Sequence, residues 1–193
     1  MSRVVVNLAA AGAFAAMTAA RAAGCEVPFW GCLARPGEPL VVPLGPIEPT
    51  PAPLDPERVR AAVAARAGRR ILTAGADADR LIALRQRLAK DGMSVSIAWD
   101  AKQADGLLDM LTPDVAVIDL GLPPRGGQAL VVRLGALDPP PLVVLVVPEA
   151  DPADGFLAVA GQHLRNGRLV PRQRLIDRLR DESDPPPPRP SRK

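Results

Sequence analysis

The fold is decided by the stretch from residue 113 to residue 127, which reads PDVAVIDLGLPPRGG. Its apolar run, residues 115–118, is mostly β-branched and has no alternating polar face, which is typical of a central parallel strand covered on both sides. Asp119 follows the run directly and is followed by a turn rich in Pro and Gly. Ligands of open α/β sheets bind at the carboxyl ends of the strands, so Asp119 stands where chemistry is expected.

Apolar segments and amphipathic segments alternate on both sides of this stretch. We predict strands at residues 70–74, 94–98, 115–118, 141–147 and 168–170, and helices at 77–90, 101–111, 128–137, 153–164 and 173–180. Leu81, Leu84 and Leu88 recur at helical spacing and predict the buried face of the first of these helices. Strands that alternate with helices predict a parallel α/β sheet with right-handed crossovers.

The motif Asp-Leu-x-Leu-Pro-x-x-x-Gly, from Asp119 to Gly127, resembles the phosphoacceptor turn of the response-regulator receiver (CheY-like) family. The resemblance covers residues from about 70 to 181. It implies a doubly wound α/β fold with a five-stranded parallel sheet in the order 2-1-3-4-5. It also implies a bacterial two-component phosphorelay as the biological setting.

The resemblance assigns the pocket positions of an active receiver to this chain. Such a pocket holds Mg²⁺ with the phosphoacceptor and an acidic pair after strand one, and binds the phosphoryl group with a hydroxyl after strand four and a lysine after strand five. The phosphoacceptor position is Asp119. The other positions are degenerate and fall on Gly75, Ala76, Asp77, Val146 (or Val147) and Val170.

These substitutions predict a receiver that has lost its chemistry. Gly75 and Ala76 offer no side-chain ligand, and Asp77 is expected to start the following helix and to turn away. We therefore predict no catalytic residue, no metal site and no cofactor, and that the protein is not an enzyme. Asp119 is then a vestigial phosphoacceptor whose carboxylate accepts backbone N–H groups in its own turn.

Three functions remain open. The first is a non-catalytic pseudo-receiver that acts as an adaptor for a protein partner or as a homodimer, independently of phosphorylation. The second is a single-domain response regulator phosphorylated on Asp119, which would need Mg²⁺. The third is an exported or membrane-attached subunit of a complex. The predicted partner face combines apolar and basic residues of the last two helices and the strand between them, Phe156, Leu157, Leu169, Arg172, Leu175 and Arg178.

The flanking segments differ from the receiver-like domain, which we place at residues 69–182. Residues 1–25 are apolar and rich in Ala, and they predict either a signal-like segment or an ordered strand and helix, of which we favour the second. Residues 26–54 carry many of the 23 prolines and predict an extended arm, residues 55–68 a linker helix, and residues 183–193 a disordered tail.

Charge and cysteine content narrow the partners and the location. The formal net charge is +3, with Lys and Arg spread among Asp and Glu, so we predict no nucleic-acid partner. A membrane is a partner only if residues 4–25 act as an anchor, and the expected location is otherwise the cytoplasm. Cys25 and Cys32 could pair only if the protein is exported.

Overall fold

The structure is a computed structural model that describes residues 3–35, 37–64, 69–123, 125–166 and 169–181. Within these residues the chain forms one mixed sheet with helices on both faces. The strands are β1 (Val4–Asn7), β2 (Phe29–Ala34), β3 (Leu40–Pro51), β4 (Arg70–Ala74), β5 (Ser94–Ala98), β6 (Val115–Asp119), β7 (Leu142–Val147) and β8 (Val170–Pro171). The helices are α1 (Ala13–Ala22), α2 (Pro56–Ala64), α3 (Ala78–Lys90), α4 (Ala101–Leu108), α5 (Gly126–Gly135), α6 (Ala153–Asn166) and α7 (Arg172–Asp181).

The centre of the sheet confirms the predicted α/β fold. Strands β5, β4, β6 and β7 lie side by side in that order and are all parallel, as predicted for strands two, one, three and four. Side chains of β6 alternate between two cores, because Val115 and Val117 face one layer of helices while Ala116 and Ile118 face the other. This double coverage explains why the strand has no polar face.

The fifth position of the parallel sheet is taken by β3, and here the prediction from sequence is wrong. Strand β3 lies parallel to β7, with Ile47 opposite Val143 and Pro51 opposite Val147. The predicted fifth strand, residues 168–170, forms only the short β8, which pairs antiparallel with the beginning of β3. The sheet continues beyond β3 through β2, which is antiparallel to it, to β1.

Two prolines of β3, Pro49 and Pro51, are tolerated in the interior of the sheet because of the side to which their nitrogens point. The N–H of Ala52 donates to the carbonyl of Val147 at 2.8 Å, so alternate residues before it direct their nitrogens toward the other side of β3. The nitrogens of Pro49 and Pro51 point to that other side, and there the pairing of β2 with β3 does not extend past Ile47. Their missing N–H groups therefore cost no ladder hydrogen bond.

Helix α2 belongs to the core, although the sequence predicted a linker helix that precedes it. Val59 and Val63 are fully buried. They pack on the same face of the sheet as α3, in a cluster that includes Ile71, Leu81 and Val144. The unit β3–α2 therefore occupies the place at which we expected the last strand and helix of the receiver-like domain.

The N-terminal segment forms an ordered strand and helix, the alternative that we favoured from the sequence. Phe14 and Met17 of α1 are buried, and the Phe14 ring stacks on Phe156 of α6 with centroids 5.7 Å apart. Arg21 bonds Glu48 through two nitrogens, at 2.6 and 2.7 Å, which joins α1 to β3. No helix among the described residues is long and apolar enough to cross a membrane.

Helix α7 covers the start of β3 and the end of β2. Its Leu175 and Leu179 are buried against Cys32, Ala34 and Val41. Burial raises the pKa of the Cys32 thiol to about 11, so the thiol stays protonated and inert. Cys25 and Cys32 are both free.

Asp114 fastens the amino ends of β4 and β6 together. Its Oδ2 accepts the backbone N–H groups of Arg69 and Arg70, and its Oδ1 accepts a guanidinium N–H of Arg70 at 3.2 Å. The side-chain hydrogen bond from Arg70, with the backbone bonds, holds the pKa of the Asp114 carboxyl below its usual value.

Candidate functional site

Asp119 ends β6 at the carboxyl edge of the parallel strands. Its Oδ1 accepts the backbone N–H of Gly121 at 2.8 Å, which is the kind of bond that the sequence predicted for this carboxylate. A Cβ on Gly127 would overlap the carbonyl oxygen of Asp119, so α5 can start this close to the turn only with glycine there. The turn is therefore built to hold Asp119 in one position.

Gly75 lies beside Asp119, as the resemblance to the receiver family implied. It follows β4, and its N–H donates to the carbonyl of Ala98 at 3.2 Å. A Cβ on Gly75 would lie 3.7 Å from Asp119 Oδ2, in ordinary contact. Glycine thus leaves room next to the carboxylate and supplies no ligand. Ala76 is exposed, and its side chain carries no ligand atom either.

Asp77 caps the first turn of α3. Its Oδ1 accepts the backbone N–H of Arg80 at 3.1 Å, and its Oδ2 pairs with the Arg80 guanidinium at 2.8 Å. The sequence predicted that Asp77 turns away from the pocket, and this was wrong in part. Asp77 lines the same cavity as Asp119, but its two carboxylate oxygens are occupied by Arg80.

Of the two positions expected for the hydroxyl and the lysine, the first lines the cavity and the second does not. Val146 lies on β7, is buried, and lines the cavity. Val170 does not line it, because β8 pairs with Val41 at the far end of β3. The residue that follows the strand beside β7 is Ala52, which does line the cavity. Neither Val146 nor Ala52 has a group that binds a phosphoryl oxygen.

These residues enclose a cavity of about 230 Å³. Its walls come from the ends of the parallel strands and from the segment after β3, and its lining residues are Ala52, Pro53, Leu54, Ala74, Gly75, Asp77, Arg80, Leu81, Val117, Asp119 and Val146. Arg80 and the segment 52–54 are lining residues that sequence reasoning missed. For Arg80 the available signal was its position three residues after the cap Asp77, because that spacing allows an ion pair across the first turn.

The arrangement offers one carboxylate outside an ion pair, that of Asp119, in mostly apolar surroundings. Among the described residues, no cluster of three or more Asp, Glu, His or Cys side chains could hold a metal ion. A magnesium site draws its oxygens from carboxylates, waters and substrate phosphates. Here Asp119 has no acidic neighbour free to share the ion, since Asp77 is paired with Arg80.

The predicted partner face is largely corrected. Phe156 is fully buried and stacks on Phe14, and Leu175 is buried where α7 packs on Cys32, Ala34 and Val41, so neither can belong to an open surface. Leu157 is 46% exposed, Leu169 is half-buried, and Arg172 is exposed. The side chain of Arg178 lies outside the described residues. No pattern in the sequence predicted that Phe14 of α1 would stack on Phe156 of α6.

No protein-family model matches the chain. Over 68 residues the chain is 38% identical to the transcriptional regulatory protein PhoP of Escherichia coli O157:H7, a match that covers 35% of this chain and 30% of that protein. Over 67 residues it is 39% identical to the virulence transcriptional regulatory protein PhoP of Salmonella typhimurium strain 14028s, covering 34% of this chain and 30% of that protein. The chain thus matches less than a third of the length of these curated relatives.

Two solved structures match part of the chain. One is the receiver domain of the Francisella response regulator 1452, with 22% identity, a TM-score of 0.37, and coverage of 46% of this chain and 75% of that one. The other is the BeF3-activated N-terminal receiver domain of Klebsiella pneumoniae RstA, with 23% identity, a TM-score of 0.39, and coverage of 57% and 94%. The resemblance to the receiver family that the Asp119 turn indicated is supported by the response-regulator relatives.

Proposed function

We propose that this chain is a non-enzymatic, receiver-like signalling module that acts by binding a protein partner and does not require phosphorylation of Asp119. The observation that supports this is the composition of the cavity. Gly75, Val146 and Ala52 line the cavity with Asp119, at the positions where an active receiver would need an acid, a hydroxyl and a lysine.

Charge explains why these residues matter. A phosphoryl donor is anionic, and so is the Asp119 carboxylate that would attack it. Catalysis of phosphoryl transfer depends on cations and donors placed where that charge develops. Among the described lining residues, Arg80 carries a guanidinium, and this group is already paired with Asp77 at 2.8 Å. The repulsion at Asp119 is therefore left uncompensated.

The test is exposure of the whole chain to a small phosphodonor, acetyl phosphate, with excess Mg²⁺. We expect no phosphoryl adduct in the intact mass and no change in melting temperature with Mg²⁺. The matched variant is Gly75→Asp with Ala76→Asp and Ala52→Lys, which restores the acids and the lysine and should gain Mg²⁺ binding. A stable adduct on Asp119 of the unmodified chain overturns the proposal.

The second candidate is a response regulator that is phosphorylated on Asp119. It is favoured by the intact turn, in which Gly121 and Gly127 hold Asp119 at the sheet edge, and by the similarity to PhoP. Under this function Asp119→Asn abolishes signalling in the host, and Mg²⁺ raises the melting temperature. If the Asn variant signals as the unmodified chain does, this candidate is eliminated.

The outer edge of β1 is the surface that we propose for self-association. Val4 and Val5 are 42% and 39% exposed, and β1 pairs with β2 on one side only among the described strands. The edge carries no proline or charged residue from Val4 to Asn7, and natural edge strands usually carry such protection. No charge occurs from residue 4 to residue 20, so a second copy of the same edge is a matched partner.

Self-association through β1 is tested with Val5→Lys, which places a charge on the edge. We expect the unmodified chain to run as a dimer in light scattering coupled to size exclusion, and the variant as a monomer with an unchanged circular dichroism spectrum. Ile82→Lys on the exposed face of α3 is the control and should leave the dimer intact. A monomeric unmodified chain at high concentration refutes the β1 interface.

A further inference from the structure

Asp119 lines the cavity at the sheet edge and has one carboxylate oxygen without a hydrogen-bond donor among the described residues. Asp119 Oδ1 is bonded to Gly121, whereas no donor among the described residues bonds Oδ2. We infer that this cavity binds an alkylammonium group, the side chain of a lysine presented by the protein partner. The inference rests on the proposed function, because a bound Mg²⁺ ion would compete for the same oxygen.

The charge balance of the cavity selects a cation. Its charged lining residues are Asp77, Asp119 and Arg80. The Arg80 guanidinium is held by Asp77 and by the carbonyl of Leu54, to which it donates at 3.1 Å. No cationic side chain described in the structure lies within ion-pair distance of Asp119. An anion would therefore be repelled, and a neutral apolar ligand would leave the Asp119 oxygen without a hydrogen bond.

The walls select a cation that carries an apolar stem. Leu54, Leu81, Val117 and Val146 line the cavity with aliphatic surface. A volume of about 230 Å³ is smaller than the pockets that hold drug-sized ligands, and it suits a single side chain. Lysine has both parts, since its methylene chain buries against apolar surface while its ammonium group reaches a polar one.

The number of free oxygens separates lysine from arginine and from metal ions. A guanidinium is bound best by two carboxylate oxygens at once, and Asp119 has one to offer. A divalent ion needs several oxygen ligands, and the described residues form no such cluster. An ammonium is a point charge that one carboxylate oxygen can accept.

The experiment is a titration of the ¹⁵N-labelled full chain, followed through the amide resonances of Gly75 and Gly121. The probe is n-butylammonium chloride, and the comparison ligands are n-butanol, n-butylguanidinium chloride and NaCl at equal ionic strength. We expect saturable shifts with butylammonium, at least tenfold weaker binding of butylguanidinium, and none with butanol or NaCl. Equal shifts with butanol or NaCl, or no saturation with butylammonium, overturn the inference.

Three variants make the assignment specific. Asp119→Asn should weaken butylammonium binding at least tenfold, whereas Asp79→Asn, in the first turn of α3 and outside the cavity lining, should leave it unchanged. Ala52→Lys supplies an internal ammonium and should block the probe. Undiminished binding in Asp119→Asn or in Ala52→Lys refutes the site.

The failures of the two proposals can be told apart. If butylammonium does not bind and acetyl phosphate with Mg²⁺ gives no adduct, the inferred lysine-binding cavity is wrong and the phosphorylation-independent function stands. If acetyl phosphate labels Asp119 in the same preparation, the proposed function is wrong, and the inferred lysine binding, which rests on it, is wrong as well.

Discussion

Replacement of Gly135 by alanine tests whether β3 occupies the fifth position of the sheet. Gly135 is the last residue of α5, and a Cβ built on it would lie 2.6 Å from Leu44 Cα and 2.9 Å from Leu44 O. Leu44 is a fully buried residue of β3. Both contacts are with backbone, so no side-chain rotation relieves them, and either α5 or β3 must move.

The magnitude follows from two opposing terms. In a helix that touches nothing, Gly→Ala stabilises by about 0.5–1 kcal/mol. Overpacking against a fixed backbone costs about 1–3 kcal/mol. We therefore expect Gly135→Ala to lower the free energy of unfolding by about 1–2 kcal/mol. Gly106 is the matched control, because it lies within α4 with no atom within 4 Å of its would-be Cβ.

The assay is urea unfolding monitored by circular dichroism and by the fluorescence of Trp30 and Trp99. The two variants should move the midpoint in opposite directions, Gly106→Ala upward and Gly135→Ala downward. If Gly135→Ala stabilises the chain as much as Gly106→Ala does, then no strand lies against the end of α5, and the assignment of β3 to the fifth position is wrong.

Three further predictions concern the same architecture and the charges at its ends. Val63→Ala removes two buried methyl groups and should cost about 1–2 kcal/mol in urea unfolding, whereas Ile82→Ala, exposed on α3, should change stability by less than about 0.5 kcal/mol; equal effects would remove α2 from the core. A fragment of residues 69–193 lacks β3 and α2 and should show no cooperative thermal transition, so a sharp transition in it would restore the boundary predicted from sequence. The lowered pKa of Asp114 means that its contribution to stability is present above the unfolded-state pKa near 4 and is lost as the pH falls through the folded-state pKa; Asp114→Asn should therefore lower stability at neutral pH and flatten its acid limb, and an unchanged acid limb would contradict this.

Local patterns predicted the elements of the central sheet well. The β-branched run of β6 is buried on both faces, and Leu81, Leu84 and Leu88 are the buried residues of α3. These features depend on residues close in sequence, where burial on one face leaves a regular period. The turn at Asp119 was predictable for the same reason, since its Pro and Gly lie next to the strand.

The choice of neighbours in the sheet could not be read in the same way. The prolines of β3 led us to predict an extended arm, and only the end of the β2–β3 pairing at Ile47 shows why Pro49 and Pro51 are tolerated within a sheet. The resemblance to the receiver family led us to place the fifth strand at residues 168–170, because in that family the fifth strand of the sheet is also the fifth along the chain. Ala52, rather than Val170, is therefore the residue beside Asp119's cavity.

Burial of the predicted partner face was missed for a related reason. Phe156 belongs to the apolar stripe of α6, and the sequence did not reveal that Phe14 of α1 would cover it. An interface and a core contact use the same residue types, and only the position of α1 distinguishes them.

The pairing of Ile47 with Val143 has a consequence for synthesis. Strand β3 leaves the ribosome long before β7 is synthesised. Until then, the edge of β3 that pairs with β7 has no hydrogen-bonding partner. Long-range pairing of this kind slows folding and leaves strand edges open to wrong neighbours. Nascent chains stalled before residue 142 should therefore be held by chaperones, and those that extend beyond β7 should be released.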